Sequence, residues 1–509
     1  MELPCSCSKL LNWSYEPIPP KPWTGIWKAK TMFKCMQYDH FTLQGQDMVS
    51  GDEDCLYVNV YTPDLSPQKK FDVLIFIHGG AFMFNYGGMY GPELILDRDV
   101  VYVTLNYRLG PLGFLSTEDD VVPGNNGLKD QILALKWIKE NIEYFGGNPN
   151  SITIFGMSAG GSSVHFHLLL PASKGLFHKG ISQSGTTLCP WVLLEKPLEK
   201  AKKLSSLVGC PVTDSVEMVD CLRSKPARQI TLIVKHFQPW LYNPFSPFGV
   251  VLDYNWATSP LLPDHPYKLL KNQKVADLPW MASYTSGEGL YPAYDFYYTH
   301  HLEYIDRNWN EVMPHILHYN DTVDLKHKDE VSQKIRQYFL QGQSLTKDTY
   351  KSLVELMSER LFIYDIEKTG RLHATAVNSP VYCYLFNYRG AHSKTEFRAN
   401  TTENIGVSHG DDTSYILKTV MDTSSTDDDR LMCGVMIDMF TSFMRTGKPA
   451  TSPDWEPLSK TASDSWNQLH IDGPHNIYAE QKEKLGNRDF WDSIHFEEND
   501  HLFGTKDEL

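Results

Sequence analysis

The chain of 509 residues lacks any long apolar run: no window reaches the roughly 18 consecutive apolar residues of a spanning helix, so no membrane span is expected. It also lacks a basic surplus, because 47 Lys and Arg face 62 Asp and Glu, a formal net charge of −15. Nucleic-acid binding requires clustered cations against phosphates, so no nucleic-acid partner is expected. No glycine-rich phosphate loop and no cluster of metal-ligating residues at ligand spacing occurs, and no cofactor or metal is expected. Internal repeats and low-complexity tracts are absent as well. Finally, Met1 to Pro20 has no hydrophobic signal core; Leu10-Leu11 is its most apolar adjacent pair.

What is present is the mix of a folded enzyme. Hydrophobic residues make up 41% and charged residues 21%. With 12 Trp, 27 Tyr and 24 Phe, aromatics suffice to line a deep apolar pocket as well as a core. Length alone suggests about three domains, but the pattern of elements favours one large catalytic unit. Phe71 to Ile77 reads as a buried strand stopped by Gly79-Gly80. Val100 to Leu105, Ser151 to Phe155, Leu278 to Tyr284 and Val381 to Phe386 are further strands. Leu128 to Ile142 reads as a helix, with Leu128, Ile132, Leu135, Ile138 and Ile142 at spacings of three and four; Ser162 to Leu170 is another. Alternating strands and helices imply an α/β fold with a mostly parallel sheet covered on both faces. Helical patterns around 210–370 suit a cap over the sheet edge, and the charged end after Arg488 reads as a surface helix and a loose tail.

One stretch carries chemistry. Ile152-Thr153-Ile154-Phe155-Gly156-Met157-Ser158-Ala159-Gly160-Gly161 is a β-run, a Gly-x-Ser-x-Gly turn and a helix start. Such a turn exposes a strained serine above the sheet, beside the N–H groups of the following helix, which favour negative charge. The bland alternative is a glycine turn whose serine only caps the helix. Ile77-His78-Gly79-Gly80-Ala81-Phe82 supplies a His-Gly-Gly-type loop after the first strand. The backbone N–H groups of Gly80, Ala81 and Ala159 are the expected oxyanion donors. A nucleophilic serine needs a histidine base and an acid to orient it. Among 19 histidines, His409 stands in the small, polar Ser408-His409-Gly410-Asp411-Asp412 turn, whereas His236 and His318 read as surface residues. Glu288, in Gly287-Glu288-Gly289 directly after a strand, is the acid candidate, only modestly ahead of Asp253 or Asp411.

These residues resemble the type B carboxylesterase and cholinesterase family of α/β-hydrolases, with insect carboxylesterases as the nearest likeness. Glu53-Asp54-Cys55-Leu56-Tyr57-Val58-Asn59-Val60-Tyr61-Thr62-Pro63 is similar to its second signature, and Phe145-Gly146-Gly147-Asn148-Pro149 through Ser158-Ala159-Gly160 to its active-site signature. Asn106-Tyr107-Arg108-Leu109-Gly110 and Gly124-Asn125-Asn126-Gly127-Leu128-Lys129-Asp130-Gln131 resemble its shared blocks. The resemblance runs from about Trp23 to about Trp455. It implies an α/β-hydrolase fold with a large, mostly parallel mixed sheet and helices on both faces. It also implies a Ser158, Glu288 and His409 triad, a small-molecule carboxylic ester as substrate, and a pocket tryptophan at Trp191. It pairs Cys35 with Cys55 and Cys210 with Cys221, at separations of 20 and 11 residues; loops of that size add about 3 kcal/mol each. The chain has nine cysteines in all, an odd number; of the other five, Cys189, Cys383 and Cys433 sit in apolar contexts and read as buried thiols.

The chain departs from that pattern in four respects. Met157 stands where many relatives carry Glu or Gln, which removes a charge beside the nucleophile and weakens the case for cationic substrates. The Cys35 to Cys55 loop holds no Trp, so the choline-binding aromatic is absent, and the Gly-Gln-Ser-Ala-Gly pattern of juvenile hormone esterases is missing. Nothing before Trp23 matches the family's opening Gly-Ile-Pro-Tyr-Ala segment, so residues 1–22 form an atypical leader to a catalytic domain over 23–488, and an uncovered sheet edge is expected. The tail, 489–509, ends in Lys506-Asp507-Glu508-Leu509, the address read by the endoplasmic-reticulum retrieval receptor. Asn12, Asn320 and Asn400 head glycosylation sequons. A lumenal compartment follows if an upstream signal exists, a cytoplasmic one otherwise. Two other readings stand beside a broad-specificity esterase: a sequestering esterase that deacylates slowly, and a non-catalytic neuroligin-like binding protein.

Overall fold

Successive side chains of a strand point to opposite faces, and a strand covered on both faces turns apolar throughout. Phe71–Ile77 follows this rule: Val73, Ile75 and Ile77 enter one core, while Leu74 and Phe76 enter the other. The computed structural model describes residues 3–6, 13–22, 24–25, 32–42, 46–297, 300–399, 402–461 and 465–499. Trp23, Asn12, Asn400 and the terminal Lys506 to Leu509 therefore lie outside the described residues. The strands are β1 (Leu3–Ser6), β2 (Gln37–Tyr38), β3 (Val49–Ser50), β4 (Tyr57–Tyr61), β5 (Phe71–Ile77), β6 (Val100–Leu105) and β7 (Gly147–Met157). After them come β8 (Lys179–Gln183), β9 (Trp280–Thr285), β10 (Val381–Phe386), β11 (Trp466–Gly473) and β12 (Asn476–Lys482).

Ten of these form one sheet in the order β1-β4-β6-β5-β7-β8-β9-β10-β11-β12; β2 and β3 pair separately. The run from β6 to β11 is parallel, with antiparallel pairs at both ends. The helix Asn126–Asn141 covers one face through Leu128, Ile132, Leu135 and Ile138. The helix Asp427–Thr446 covers the other through Met432, Met436, Phe440 and Phe443. This is the mixed, two-faced sheet of an α/β-hydrolase, and among the described residues no helix is long and apolar enough to cross a membrane. Two sequence expectations change. β1 pairs antiparallel with β4, so the edge expected to be bare carries a strand. The helix Arg488–Asp492 is no loose surface element: Phe490 and Trp491 are buried in the main core, because a charged segment can still hold an apolar face.

Both expected disulfides are formed, Cys35–Cys55 and Cys210–Cys221, and Cys189, Cys383 and Cys433 are buried free thiols. The two blocks around Arg108 and Asp130 are joined by a buried ion pair. Arg108 Nε and Nη2 meet the Asp130 carboxylate at 2.7 and 2.6 Å, and Nη1 donates to the carbonyls of Trp13 and Tyr15. Removing one member leaves an uncompensated buried charge, which costs about 3–5 kcal/mol. Asp130→Asn is therefore expected to lower unfolding free energy by about that much, measured by denaturant or thermal unfolding. The apolar pair Arg108→Met with Asp130→Leu should recover part of the loss; a double variant as unstable as the sum of its singles would contradict the charge argument.

Candidate active site

The sheet order places a topological switch at β5: the chain passes from β5 to β6 on one side, then crosses to β7 on the other. Ligands of open α/β sheets bind beyond the carboxyl ends of the strands at such a switch. Here the His78-Gly79-Gly80-Ala81 loop leaves β5, and Ser158 stands between the end of β7 and the helix Ala159–Leu169. Ser158 adopts φ 62 and ψ −125, a conformation non-glycine residues occupy only when their surroundings force it. The forcing is steric. A Cβ on Gly160 would lie 2.0 Å from the Ile77 carbonyl oxygen, and one on Gly156 would lie 2.2 Å from that of Gly160. Only glycine permits helix, turn and β5 to approach this closely. The first N–H groups of the helix, including that of Ala159, have no intrahelical acceptor and lie beside the serine.

The His78 loop is held from several sides. Tyr107 stacks on the His78 ring at 4.4 Å and its hydroxyl donates to the His78 carbonyl; the Ser246 hydroxyl donates to the Ala81 carbonyl. Complete burial pushes the His78 imidazole down to about 4, which keeps it neutral at physiological pH. Gly80 and Ala81 both have positive φ. They line one cavity, of about 140 Å³, together with Ser158 and His409.

The three carboxylates named as acid candidates differ in position. Glu288 follows β9 and is fully buried; its Oε2 lies 2.5 Å from His409 Nδ1. Its Oε1 accepts from the Thr285 N–H and the Ser184 hydroxyl. The rivals do other work. Asp253 accepts from the N–H groups of Leu261 and Leu262, inside a loop. Asp411 pins the histidine turn, accepting from the N–H groups of Ser408 and Lys394 and from the Ser393 hydroxyl. A backbone bridge between Gly287 and Ser408 brings the two segments together. The rings of Tyr291 and Phe362 flank His409 at 5.3 and 4.7 Å.

Some expectations move. Trp191 does not line this cavity: it is buried against Phe82, Phe245 and Phe362, and its indole N–H donates to the Leu361 carbonyl. A large ring with one donor is satisfied in the core here. His318 is half-buried and set edge-on to Phe245 at 4.5 Å, whereas His236 is exposed as expected. Sequence reading missed Ser184, Lys394, Tyr291 and Asp412. Ser184 directly follows β8 and was findable by the strand-end rule that picked out Glu288. Chemically, a strained serine, a carboxylate-held imidazole and a loop of backbone donors around one cavity can deprotonate a hydroxyl and hold an oxyanion.

Comparison with known proteins agrees with this geometry. The profile of the Carboxylesterase family matches residues 15–491. Venom carboxylesterase-6 of Apis mellifera is 43% identical over 489 residues, covering 95% of this chain and 87% of its own. Esterase FE4 of Myzus persicae is 39% identical over 496 residues, covering 95% and 86%. Among solved structures, juvenile hormone esterase from Manduca sexta, with OTFP covalently attached, superposes with a TM-score of 0.82 at 25% identity, over 97% of this chain and 95% of that one.

Asp412 lies beneath the site, where the hydroxyls of Tyr384 and Ser283 donate to its carboxylate. Burial, then the neighbouring Glu288 charge, pushes its carboxyl up to about 7. A folded-state value above the unfolded one means the native state holds the extra proton, so this group's contribution to stability falls as pH rises from about 4 to about 7. Asp412→Asn removes that dependence. The loss of thermal midpoint between pH 5 and pH 8 should be smaller in the variant than in the native protein; an equal or larger loss would show that another group carries it.

Proposed function

Because the chain belongs to the carboxylesterase family, we propose that Ser158, His409 and Glu288 cleave carboxylic esters through an acyl-enzyme intermediate. His409 takes the Ser158 proton as the oxygen attacks the ester carbonyl, and Glu288 fixes the ring and stabilises its imidazolium. The N–H groups of Gly80, Ala81 and Ala159 receive the developing oxyanion, each contributing about 3 kcal/mol. The protonated imidazole then delivers its proton to the departing alcohol. Water, activated by the same ring, releases the acid.

The observation that supports this assignment best is the fully buried Glu288 at 2.5 Å from Nδ1 of His409, the residue that lines one cavity with Ser158. A buried carboxylate on that nitrogen fixes the tautomer that leaves the other nitrogen free to accept a proton. The substrate reading is broad: the cavity walls are mostly apolar and aromatic, fitting small neutral esters. The two disulfides and the terminal Lys506-Asp507-Glu508-Leu509 support an oxidising, lumenal compartment as part of the same proposal.

Ser158→Ala is expected to remove the burst of 4-nitrophenolate from a 4-nitrophenyl ester and lower kcat by about 10⁴-fold or more. Glu288→Gln should lower kcat by about 10⁴-fold, with smaller change in KM. A fluorophosphonate probe should label Ser158, read by peptide mapping. Retained turnover in Ser158→Ala, or labelling at another serine, overturns the assignment. In the native protein, a steady-state rate far below the burst rate would indicate sequestration instead of turnover.

A further inference from the structure

The helix formed by Tyr350–Ser358 and Tyr364–Ala376 is interrupted by a π-helical turn, Glu359–Ile363. Such wide turns are rare and recur at functional sites. Residues three apart share one face of an α-helix; a wider turn rotates them away from each other. Here Glu359 and Arg360 face the C-terminal segment, while Phe362 faces the candidate base. The Phe362 ring is fully buried, 4.7 Å from the His409 imidazole and 5.8 Å from the Trp191 ring. It does not line the cavity beside Ser158, so its contact with the reaction is His409.

The same helix holds the acid turn. The Gly289 N–H, one residue past Glu288, donates to the Ser358 hydroxyl at 2.8 Å. A Cβ on Gly289 would lie 2.3 Å from the Val354 carbonyl oxygen, so the two backbones touch. Acid and base therefore both rest on one helix, at its π turn. On the outer side, residues 487–499 grip that turn. Glu359 is buried and accepts from the Trp491 indole N–H at 2.9 Å, and from the backbone N–H and side-chain amide of Asn487 at 3.1 and 2.9 Å. Arg360 is buried too; it pairs with Glu498 and donates to the Leu317 carbonyl. Moving either group would strip a buried polar side chain of its partners, which is costly. An apolar contact alone would let the turn slide.

We propose that Phe362 is a positioning residue for His409, and that the C-terminal segment, residues 487–499, sets its place through Glu359 and Arg360. The proposal rests on the ester-hydrolase reading of Ser158 and goes beyond it: a segment that does not line the cavity governs how well the base is aligned. No atom is transferred to or from Phe362. Its ring limits the swing of the imidazole about the bond to Glu288, and alignment of a catalytic group is worth rate.

The test reads kcat and KM for a 4-nitrophenyl ester, per site titrated by fluorophosphonate. Phe362→Leu keeps most of the apolar volume and removes the flat ring. It is expected to lower kcat about tenfold with KM within about twofold, because misplacing a catalytic group by about 1 Å can cost about 100-fold. Trp491→Phe removes the indole donor to Glu359 without touching the cavity; it should lower kcat about threefold, with KM held in the same way. Phe443→Leu, in the core on the other face of the sheet, controls for a general loss of stability. Its thermal midpoint should fall while its kcat per titrated site stays within about twofold of native. A kcat unmoved in Phe362→Leu or in Trp491→Phe, a loss carried by KM, or an equal loss in Phe443→Leu overturns the proposal. Absence of ester turnover in the native protein, or turnover surviving in Ser158→Ala, would instead sink the ester-hydrolase assignment.

Discussion

The site depends on one close approach of backbone to backbone. The start of the helix Ala159–Leu169 rests against the end of β5, with a Gly160 Cβ position only 2.0 Å from the Ile77 carbonyl oxygen. The same crowding recurs at Gly79, whose Cβ position lies 2.4 Å from the Met157 carbonyl oxygen. Three chain segments are thereby locked together at the carboxyl ends of two neighbouring strands. The turn between them has no room to relax, and Ser158 takes up a positive φ that costs on the order of 1–3 kcal/mol. Packing of apolar β5 and β7 side chains on both faces offsets that cost. Strain is thus stored at the residue proposed as nucleophile, and the donor loop is fixed within the same contact.

Electrostatics builds on this frame. Glu288, Asp411 and Asp412 are three carboxylates buried under one histidine turn. Burying so much negative charge is expensive unless each oxygen is bonded. The structure meets that demand for Glu288 and Asp412 with donors from β9 and β10 and from Ser184 just beyond β8, and for Asp411 with the N–H groups of Lys394 and Ser408 and the Ser393 hydroxyl. Where bonding does not suffice, protonation does: Asp412 is held near about 7, so it spares Glu288 a second full charge at its back over part of the physiological range.

Much of this was legible in the sequence, for local reasons. Apolar runs at Phe71–Ile77 and Val381–Phe386 announced strands because both faces are covered. The paired glycines around Ser158 announced a forced turn because no other residue fits there. The acid was harder. Glu288, Asp253 and Asp411 look alike along the chain, and only the bridge between Gly287 and Ser408 distinguishes them. Lys394 carried no signal at all: its place at the site comes from the bond of its ammonium to the Gly410 carbonyl, distant along the chain. Trp191 shows the reverse failure. The resemblance put it in the pocket wall, but a bonded indole amid three phenyl rings is a stable core position.

In the proposed reaction one imidazole takes the Ser158 proton and later returns it to the departing alcohol, so its orientation must survive both transfers. That orientation is held from two directions. The Glu288 carboxylate lies 2.5 Å from His409 Nδ1, and the rings of Tyr291 and Phe362 flank the imidazole at 5.3 and 4.7 Å. A ring fixed on one edge by a buried carboxylate and on its sides by packing keeps its second nitrogen turned to the cavity that His409 and Ser158 share.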